Sequence, residues 1–136
     1  MIYLCCPYSH PDPAIHDHRF RTACRAAAKL MRVGVVVFSP LSHSVPIVEH
    51  GGLDGTTHEF WMSVDLPLLQ RCDELLVVAL EGWQESLGVR EEIFQAMALR
   101  KPITLIDESD IDRLPAIPKT ARRFLTSSIL TEVYDV

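Results

Sequence analysis

The stretch that decides the fold is Glu74-Leu-Leu-Val-Val-Ala-Leu80, followed after a short connection by Ser86-Leu-Gly-Val-Arg-Glu-Glu-Ile93. The first segment is an apolar run of strand length, and we interpret Leu75–Leu80 as a strand. The second predicts a helix over Gly88–Arg100 with carboxylates in its first turns. A helix that begins at the carboxyl end of a parallel strand presents its N-terminus to an anion. This junction therefore predicts an α/β fold with a ligand-binding edge.

Strand-like and helix-like segments alternate along the chain, which is the pattern of a parallel sheet with helices on both faces. We predict a three-layer flavodoxin/Rossmann-like fold with a parallel sheet of four to five strands, formed by a single domain over residues 1–136. The predicted strands are Ile2–Cys6, Val35–Phe38, Leu75–Leu80 and Ile103–Ile106, and the predicted helices are Asp17–Arg32, His58–Gln70, Gly88–Arg100 and Lys119–Leu125, with Ser128–Tyr134 as a further strand or a tail.

Prolines and glycines mark the segments that we expect to be irregular or interrupted. The three prolines of Pro7–Pro13 predict a loop after the first strand. The segment Pro40–Thr57 holds a further proline and two glycine-containing pairs, and we interpret it as a long functional or mobile loop. Pro67 should kink or restart the helix His58–Gln70 near Asp65.

Composition excludes several classes of function. The chain has 136 residues, of which 48% are hydrophobic and 23% are charged, as in ordinary globular proteins. Its net charge of −5 and its lack of a Lys/Arg run argue against a nucleic-acid polymer as partner. The longest apolar runs are too short to cross a membrane, and the N-terminus does not resemble a signal peptide. We therefore expect a cytoplasmic protein whose four cysteines are buried thiols in a reducing compartment.

The carboxyl ends of the predicted strands define the edge at which a ligand would bind. Three segments meet there, namely Pro7–Pro13, Ser39–His43 and Glu81–Gly88. The residues that carry chemistry should accordingly lie in these segments or at the start of the helix that follows Gly88.

Helical geometry separates two adjacent carboxylates, Glu91 and Glu92. Each residue turns by about 100° around a helix, so Val89 and Ile93 share an apolar stripe that must face the sheet. Glu92 lies about 60° from Val89, at the border of that stripe, whereas Glu91 lies about 160° away and should face solvent. Glu92 is thus the candidate for a partly buried, reactive carboxylate. The competing interpretation is an acidic residue favoured by the helix dipole.

A second carboxylate, Asp65, stands at the predicted interruption of its helix. Its two interpretations are an N-cap for the restarted helix and a catalytic partner for Glu92. Two carboxylates on different elements can divide the work of glycosidic bond cleavage, because one attacks or stabilises the sugar carbon while the other protonates the leaving group. The residues alone leave both interpretations open.

Four pieces of the chain occur in an informative order. They are Ile2–Cys6 with Pro7-Tyr8-Ser9, then Phe38-Ser39-Pro40, then Asp65-Leu66 with Cys72-Asp73 before an apolar strand, and finally Ser86-Leu87-Gly88-Val89 with Glu92 six residues after Ser86. In this order the chain resembles the nucleoside 2-deoxyribosyltransferase superfamily, which includes the 2′-deoxynucleoside 5′-phosphate N-hydrolases. The resemblance implies an enzyme that cleaves or transfers an N-glycosidic bond without a metal or redox cofactor. It also implies a homo-oligomer, a dimer or tetramer, in which one subunit completes the site of another.

The resemblance further implies roles for individual residues. Glu92 resembles the nucleophile that attacks the anomeric carbon of the sugar, and Asp65 resembles the aspartate that assists the nucleobase or orients the sugar. Tyr8 is similar in place to a residue that contacts the substrate or the nucleophile. Ser86 stands where transferases of free nucleosides tend to carry an aspartate. A serine hydroxyl and the helix amides near Gly88 would instead favour a 5′-phosphate, which implies a (deoxy)nucleoside 5′-monophosphate as substrate.

Three more residues complete the predicted binding edge. Ser9, in the first loop, is a candidate for substrate binding. His43 lies just past the second strand, and we predict that it contacts the base or the sugar. The alternative is a solvated loop histidine. We predict that Trp83 stacks on the base. The alternative is that its ring packs over the hydrophobic core. The chain departs from the superfamily in its first loop, which lacks the Gly- and Arg-bearing form, and in Leu41–Thr57, which has no counterpart.

Other chemistries are less well supported by the sequence. His16 and His18 do not have the i, i+4 spacing that places two metal ligands on one helix face, so we expect no metal site. A non-catalytic nucleotide-binding or sensor module would keep Ser86 and Gly88 but would not need Glu92. A flavodoxin-like FMN protein would need a Ser/Thr-rich phosphate loop after the first strand, which this chain lacks.

Overall fold

Five strands form one sheet at the centre of the computed structural model, which describes residues 1–114 together with the strand Arg123–Phe124. The strands are β1 (Ile2–Cys5), β2 (Val37–Phe38), β3 (Glu74–Ala79), β4 (Ile103–Asp107) and β5 (Arg123–Phe124). The α-helices are α1 (Pro13–Arg32), α2 (Pro40–Gly51), α3 (His58–Arg71) and α4 (Leu87–Ala98). Two short 3-10 helices span Trp83–Glu85 and Glu108–Arg113. The order across the sheet is β2-β1-β3-β4-β5, with β5 antiparallel to β4 and all other pairs parallel. The predicted three-layer, flavodoxin/Rossmann-like α/β fold is confirmed.

The alternation of side chains along β1 divides the core into two layers. Leu4 belongs to the layer that packs against α1, which contributes Leu30. Tyr3 and Cys5 belong to the opposite layer, which α4 covers with Ile93. One face of β1 is therefore directed at the helix that carries Glu92.

Helix α1 begins at Pro13, earlier than the predicted start at Asp17. The Asp12 carboxylate accepts a hydrogen bond from the Ala14 backbone N–H at 2.9 Å, which caps the helix. Pro13 suits the first helical position, where no backbone N–H is needed. The early start leaves a short connection between β1 and α1 at the carboxyl edge of the sheet.

The prediction of a long loop over Pro40–Thr57 is wrong, because Pro40–Gly51 forms helix α2. Pro40 occupies its first turn, a position that favours proline, and Gly52 ends it in the left-handed conformation at φ 72°. The misleading signal was Pro46, which lies inside the helix and lacks the N–H of a regular helical residue. The remaining connection to α3 is short.

The predicted restart of the helix near Asp65 is also wrong, because α3 runs from His58 to Arg71 with Pro67 inside it. Its N-cap is Thr57, whose hydroxyl oxygen accepts a hydrogen bond from the Phe60 backbone N–H at 3.2 Å. Asp65 is therefore an interior helical residue and not an N-cap. This removes the main structural explanation for a carboxylate at that position.

The end of the chain is described only in part. Within the predicted helix Lys119–Leu125, Arg123–Phe124 is a strand paired with Thr104–Leu105, so that part of the prediction is wrong. The rest of that range and Ser128–Tyr134 lie outside the described residues. Across the described part of the chain, no helix is long and apolar enough to cross a bilayer.

Candidate active site

A cavity of about 1000 Å³ opens at the carboxyl ends of β1 and β3. Its walls come from the β1–α1 loop, α2, α3, the β3–α4 connection and the start of α4. The chain leaves β1 toward one face of the sheet and β3 toward the other, which creates a crevice between the two strand ends. Ligands of open α/β sheets bind in such a crevice, so the predicted edge and the observed cavity coincide.

Glu92 lies at the inner wall of this cavity with only 5% of its surface exposed. The Tyr3 hydroxyl donates a hydrogen bond to Oε1 at 2.6 Å, and the Cys5 thiol donates one to Oε2 at 2.8 Å. Burial raises the pKa of Glu92 to about 7, while these two hydrogen bonds act in the opposite direction because they stabilise the ionised form. Its neighbour Glu91 is only half-buried and accepts a hydrogen bond from Gln95. Helical geometry therefore predicted correctly which of the two carboxylates is the more buried.

Tyr3 and Cys5 were missed at the sequence level. They stand two residues apart on β1 and therefore point to the same face of the sheet, where α4 packs. Burial raises the pKa of Tyr3 and of Cys5, and the neighbouring Glu92 carboxylate adds to both shifts. Both groups consequently remain protonated near neutral pH and act as hydrogen-bond donors. The available signal was a polar pair at i, i+2 within an apolar strand.

Asp65 lies on α3 at the same cavity and is also only 5% exposed. Its Oδ1 atom is buried and has no hydrogen-bond partner among the described residues. Burial raises the pKa of Asp65 to about 6, partly offset by the positive potential of His43. The Asp65 charge in turn contributes to the raised pKa of Glu92, because α3 and α4 pack side by side. The fold thus brings the two predicted carboxylates together.

The predicted anion site at the start of α4 also borders the cavity. Ser86 is the N-cap of α4, and its hydroxyl oxygen accepts a hydrogen bond from the Val89 backbone N–H at 3.3 Å. This arrangement leaves the hydroxyl hydrogen free to be donated to a ligand. Gly88 lines the cavity as well, although a Cβ at that position would meet only Met62 at an ordinary 4.0 Å. Space alone therefore does not require a glycine there.

The β1–α1 loop contributes both Tyr8 and Ser9 to the cavity wall. The Tyr8 ring is stacked on His16, with ring centroids 4.6 Å apart and planes inclined by 29°. The tyrosine hydroxyl that donates to Glu92 belongs to Tyr3 and not to Tyr8. A contact of Tyr8 or Ser9 with substrate stays a prediction.

Two predicted binding residues are not part of the cavity wall. Trp83 is only 7% exposed and packs in the core layer that contains Val89, so it covers the core instead of lining the site. His43 is exposed on α2, with its ring 5.6 Å from that of Phe38. Because Pro40–Gly51 is a helix, consecutive residues point in different directions, and Ser44 faces the cavity in place of His43.

Arg19 is a further cavity residue that was missed at the sequence level, although it is only 5% exposed. It lies on the buried side of α1, at helical spacing from Ala23, Ala26 and Leu30. A charged residue on an otherwise apolar helix stripe was the signal that could have identified it.

The histidines near the start of α1 hold the loop together by hydrogen bonds. His16 Nε2 accepts a bond from the His10 backbone N–H at 2.8 Å, and His10 Nδ1 accepts one from the Asp12 backbone N–H at 2.9 Å. Within the described residues, no three His, Cys, Asp or Glu side chains are arranged to hold a metal ion.

Comparison with known proteins assigns a family to this chain. The family model described as Domain of unknown function (DUF1937) matches residues 1–108, and the chain belongs to that family. The matched region includes strands β1 to β4 and every described residue of the cavity wall. No curated protein matches the chain significantly.

Proposed function

We propose that this DUF1937 protein cleaves or transfers the N-glycosidic bond of a (deoxy)nucleoside 5′-monophosphate, with Glu92 as the nucleophile. The observation that carries the proposal is a buried carboxylate at a cavity wall, with each of its oxygens held by a protein donor. A second buried carboxylate, Asp65, borders the same cavity. Glycosidic cleavage needs this division between a nucleophile and a proton donor.

In the first step, a Glu92 oxygen attacks C1′ of the sugar. The C1′–N bond breaks, and its electron pair leaves with the nucleobase. Asp65, in its protonated form, donates a proton to the departing base nitrogen, so that the base leaves neutral. The product of this step is a glycosyl ester on Glu92.

In the second step, water attacks C1′ of the ester while the ionised Asp65 accepts a proton from that water. The C1′–O bond to Glu92 breaks, its electron pair returns to the carboxylate, and sugar 5-phosphate is released. If the ring nitrogen of another nucleobase attacks in place of water, Asp65 accepts the proton of that nitrogen and the product is a new nucleotide. Both outcomes regenerate the enzyme with Asp65 protonated and Glu92 ionised.

The donors around the two carboxylates support this assignment of roles. Tyr3 and Cys5 donate to Glu92, which orients the nucleophile and offsets part of the rise in its pKa that burial causes. Asp65 Oδ1 has no partner in residues 1–114, so it can carry the proton without losing a hydrogen bond. Ser86 and the first amides of α4 lie at the cavity wall, where they would receive the 5′-phosphate.

The test is incubation with a panel of ribo- and deoxyribonucleoside 5′-monophosphates, followed by chromatography for free base. We expect Glu92→Gln to lower base release by about 1000-fold or more, as removal of a nucleophile does in other enzymes. The matched control is Glu91→Gln, one residue away and outside the cavity wall, which should leave the rate unchanged. Acid quenching and peptide mass spectrometry should locate the sugar phosphate on Glu92.

Two results would contradict the proposal in different ways. Full base release by Glu92→Gln would refute the role of Glu92 as nucleophile. Binding of a nucleotide without any base release would instead support a non-catalytic nucleotide-binding or sensor module.

A further inference from the structure

Arg19 is a buried cation whose visible partners are all neutral. Its Nη1 donates to the carbonyl oxygens of Ser9 at 2.9 Å and Tyr8 at 3.3 Å, and its Nη2 donates to the carbonyl oxygen of Glu81 at 2.7 Å. These bonds connect α1 to the loop after β1 and to the connection after β3. Arg19 thus lies at the crevice between the two strand ends.

The charge of Arg19 has no acidic counterpart in the described residues. No Asp or Glu oxygen in that part of the chain lies within 4.0 Å of its guanidinium, although several surface arginines have such partners. A buried charge is costly unless it is paired, and carbonyl dipoles compensate it only in part. An anionic group that enters the cavity would supply the missing charge.

The geometry leaves room for such a group. A guanidinium has five N–H donors, and the Nε–H and one hydrogen of Nη2 have no partner within residues 1–114. A Cβ added to Gly82 would lie 3.1 Å from Nη2 and 4.0 Å from Glu85 Oε2, so the glycine keeps the space beside both groups open. Gly82 also has φ of +80°, a conformation that independently favours glycine.

The charges of the other residues in the cavity wall explain why an anionic ligand would need Arg19. Among the described lining residues it is the only arginine or lysine. The acidic lining residues are Glu49, Asp65, Glu81, Glu85 and Glu92. An anionic ligand would be repelled by this wall unless a cation received it.

We propose that Arg19 binds the anionic group of the ligand, a phosphate monoester, at the end of the cavity bounded by Ser9, Gly82 and Ser86. The inference deepens the proposed function, because it assigns phosphate specificity to a residue on α1. Arg19 is here a specificity-determining residue that touches the ligand, and its bonds to the two loops keep its remaining N–H groups in place.

The test uses 2-deoxyribose 5-phosphate and 2-deoxyribose as probes, because neither depends on the identity of the base. Affinities are measured by calorimetric titration of the full chain. We expect the wild-type protein to prefer the phosphorylated sugar and Arg19→Gln to weaken its binding by about 10- to 100-fold, the range for a lost hydrogen bond to a charged group. Binding of 2-deoxyribose should be unchanged, and Arg19→Lys should retain part of the preference.

The matched control is Arg21→Gln, on the same helix. Arg21 is exposed and paired with Asp17, so its substitution should change neither affinity. If Arg19 served only to connect the two loops, Arg19→Gln would weaken both probes equally, which would overturn the inference. A wild-type protein with no preference for the phosphorylated sugar would also overturn it.

A second measurement does not depend on the folding of an Arg19 variant. In wild-type protein, the arginine Nε–Hε NMR signal of Arg19 should shift on addition of 2-deoxyribose 5-phosphate and not with 2-deoxyribose. An unmoved signal at saturation would contradict direct contact. These readouts require no turnover, so a failure of base release would refute the proposed function and leave the Arg19 result to stand or fall separately.

Discussion

Two carboxylates face one cavity from neighbouring helices, yet the protein surrounds them differently. Glu92 on α4 and Asp65 on α3 are equally buried, each with 5% of its surface exposed. Both oxygens of Glu92 accept hydrogen bonds from β1, whereas Oδ1 of Asp65 has no partner among the described residues. Burial alone therefore does not define a role. The two donors fix the position of the Glu92 oxygens and lower its pKa against the effect of burial, whereas Oδ1 of Asp65 is left able to carry a proton without losing a hydrogen bond.

The substitution Asp65→Asn, which replaces the carboxylate by a neutral amide, tests the difference between the two residues most strongly. It removes the proposed proton donor and should slow base release by about 100-fold or more, the usual contribution of general acid catalysis. In the wild-type protein the rate should be highest between about pH 6 and 7, because the pair must hold one proton. Asp65→Asn should remove the decline at higher pH. A variant that keeps this decline would show that another group donates the proton.

The pH dependence of stability should reveal the cost of holding Glu92 as an anion. Its pKa rises from 4.5 to about 7 on folding, so between these values the folded protein binds more protons than the unfolded chain. The stabilising contribution of the protonated carboxyl is fully present below pH 4.5 and is lost as pH rises through 7. From pH 5 to pH 8 the free energy of unfolding should fall by about 2 kcal/mol from this group.

Urea unfolding at pH 5 and pH 8 measures this difference. Glu92→Gln should flatten the dependence, because its amide does not ionise, and Glu91→Gln should retain it. If the free energy of unfolding had the same pH dependence in wild type and in Glu92→Gln, folding would not raise the pKa of Glu92.

The smallest expected effect concerns the donors that distinguish Glu92 from Asp65. Tyr3→Phe removes one hydrogen bond to the nucleophile and should lower base release by about 10-fold. The comparison variant is Tyr8→Phe, which removes a hydroxyl from the cavity wall but leaves both donors to Glu92 intact, so the low-pH limb of its rate profile should stay in place. Tyr3→Phe should also shift the low-pH limb of the rate profile upward, because the ionised carboxylate loses support. An unshifted limb in Tyr3→Phe would argue against the positioning role.

Local patterns predicted much of the fold and one side of the site. Two local patterns, the apolar run that ends at Ala79 and the helical spacing of apolar residues after Gly88, were enough to place Glu92 on the buried side of a helix at a sheet edge. Asp65 was identified as a candidate, but the predicted restart of its helix does not occur. Helix α2 was missed because Pro46 and the following glycines outweighed its periodicity, and the same error placed His43 at the site.

The remaining parts of the site depend on contacts between distant segments. Tyr3 and Cys5 reach Glu92 across 89 and 87 residues of sequence, and Arg19 reaches Glu81 across 62. No local period contains such information, because it depends on the strand order and on which helix covers which face of the sheet. The sequence by itself determined the alternation of strands and helices and the choice of Glu92 over Glu91, since both follow from short-range periodicity. Only the tertiary structure decided which donors hold that carboxylate and which cation shares its cavity, because packing of the layers brings those groups together.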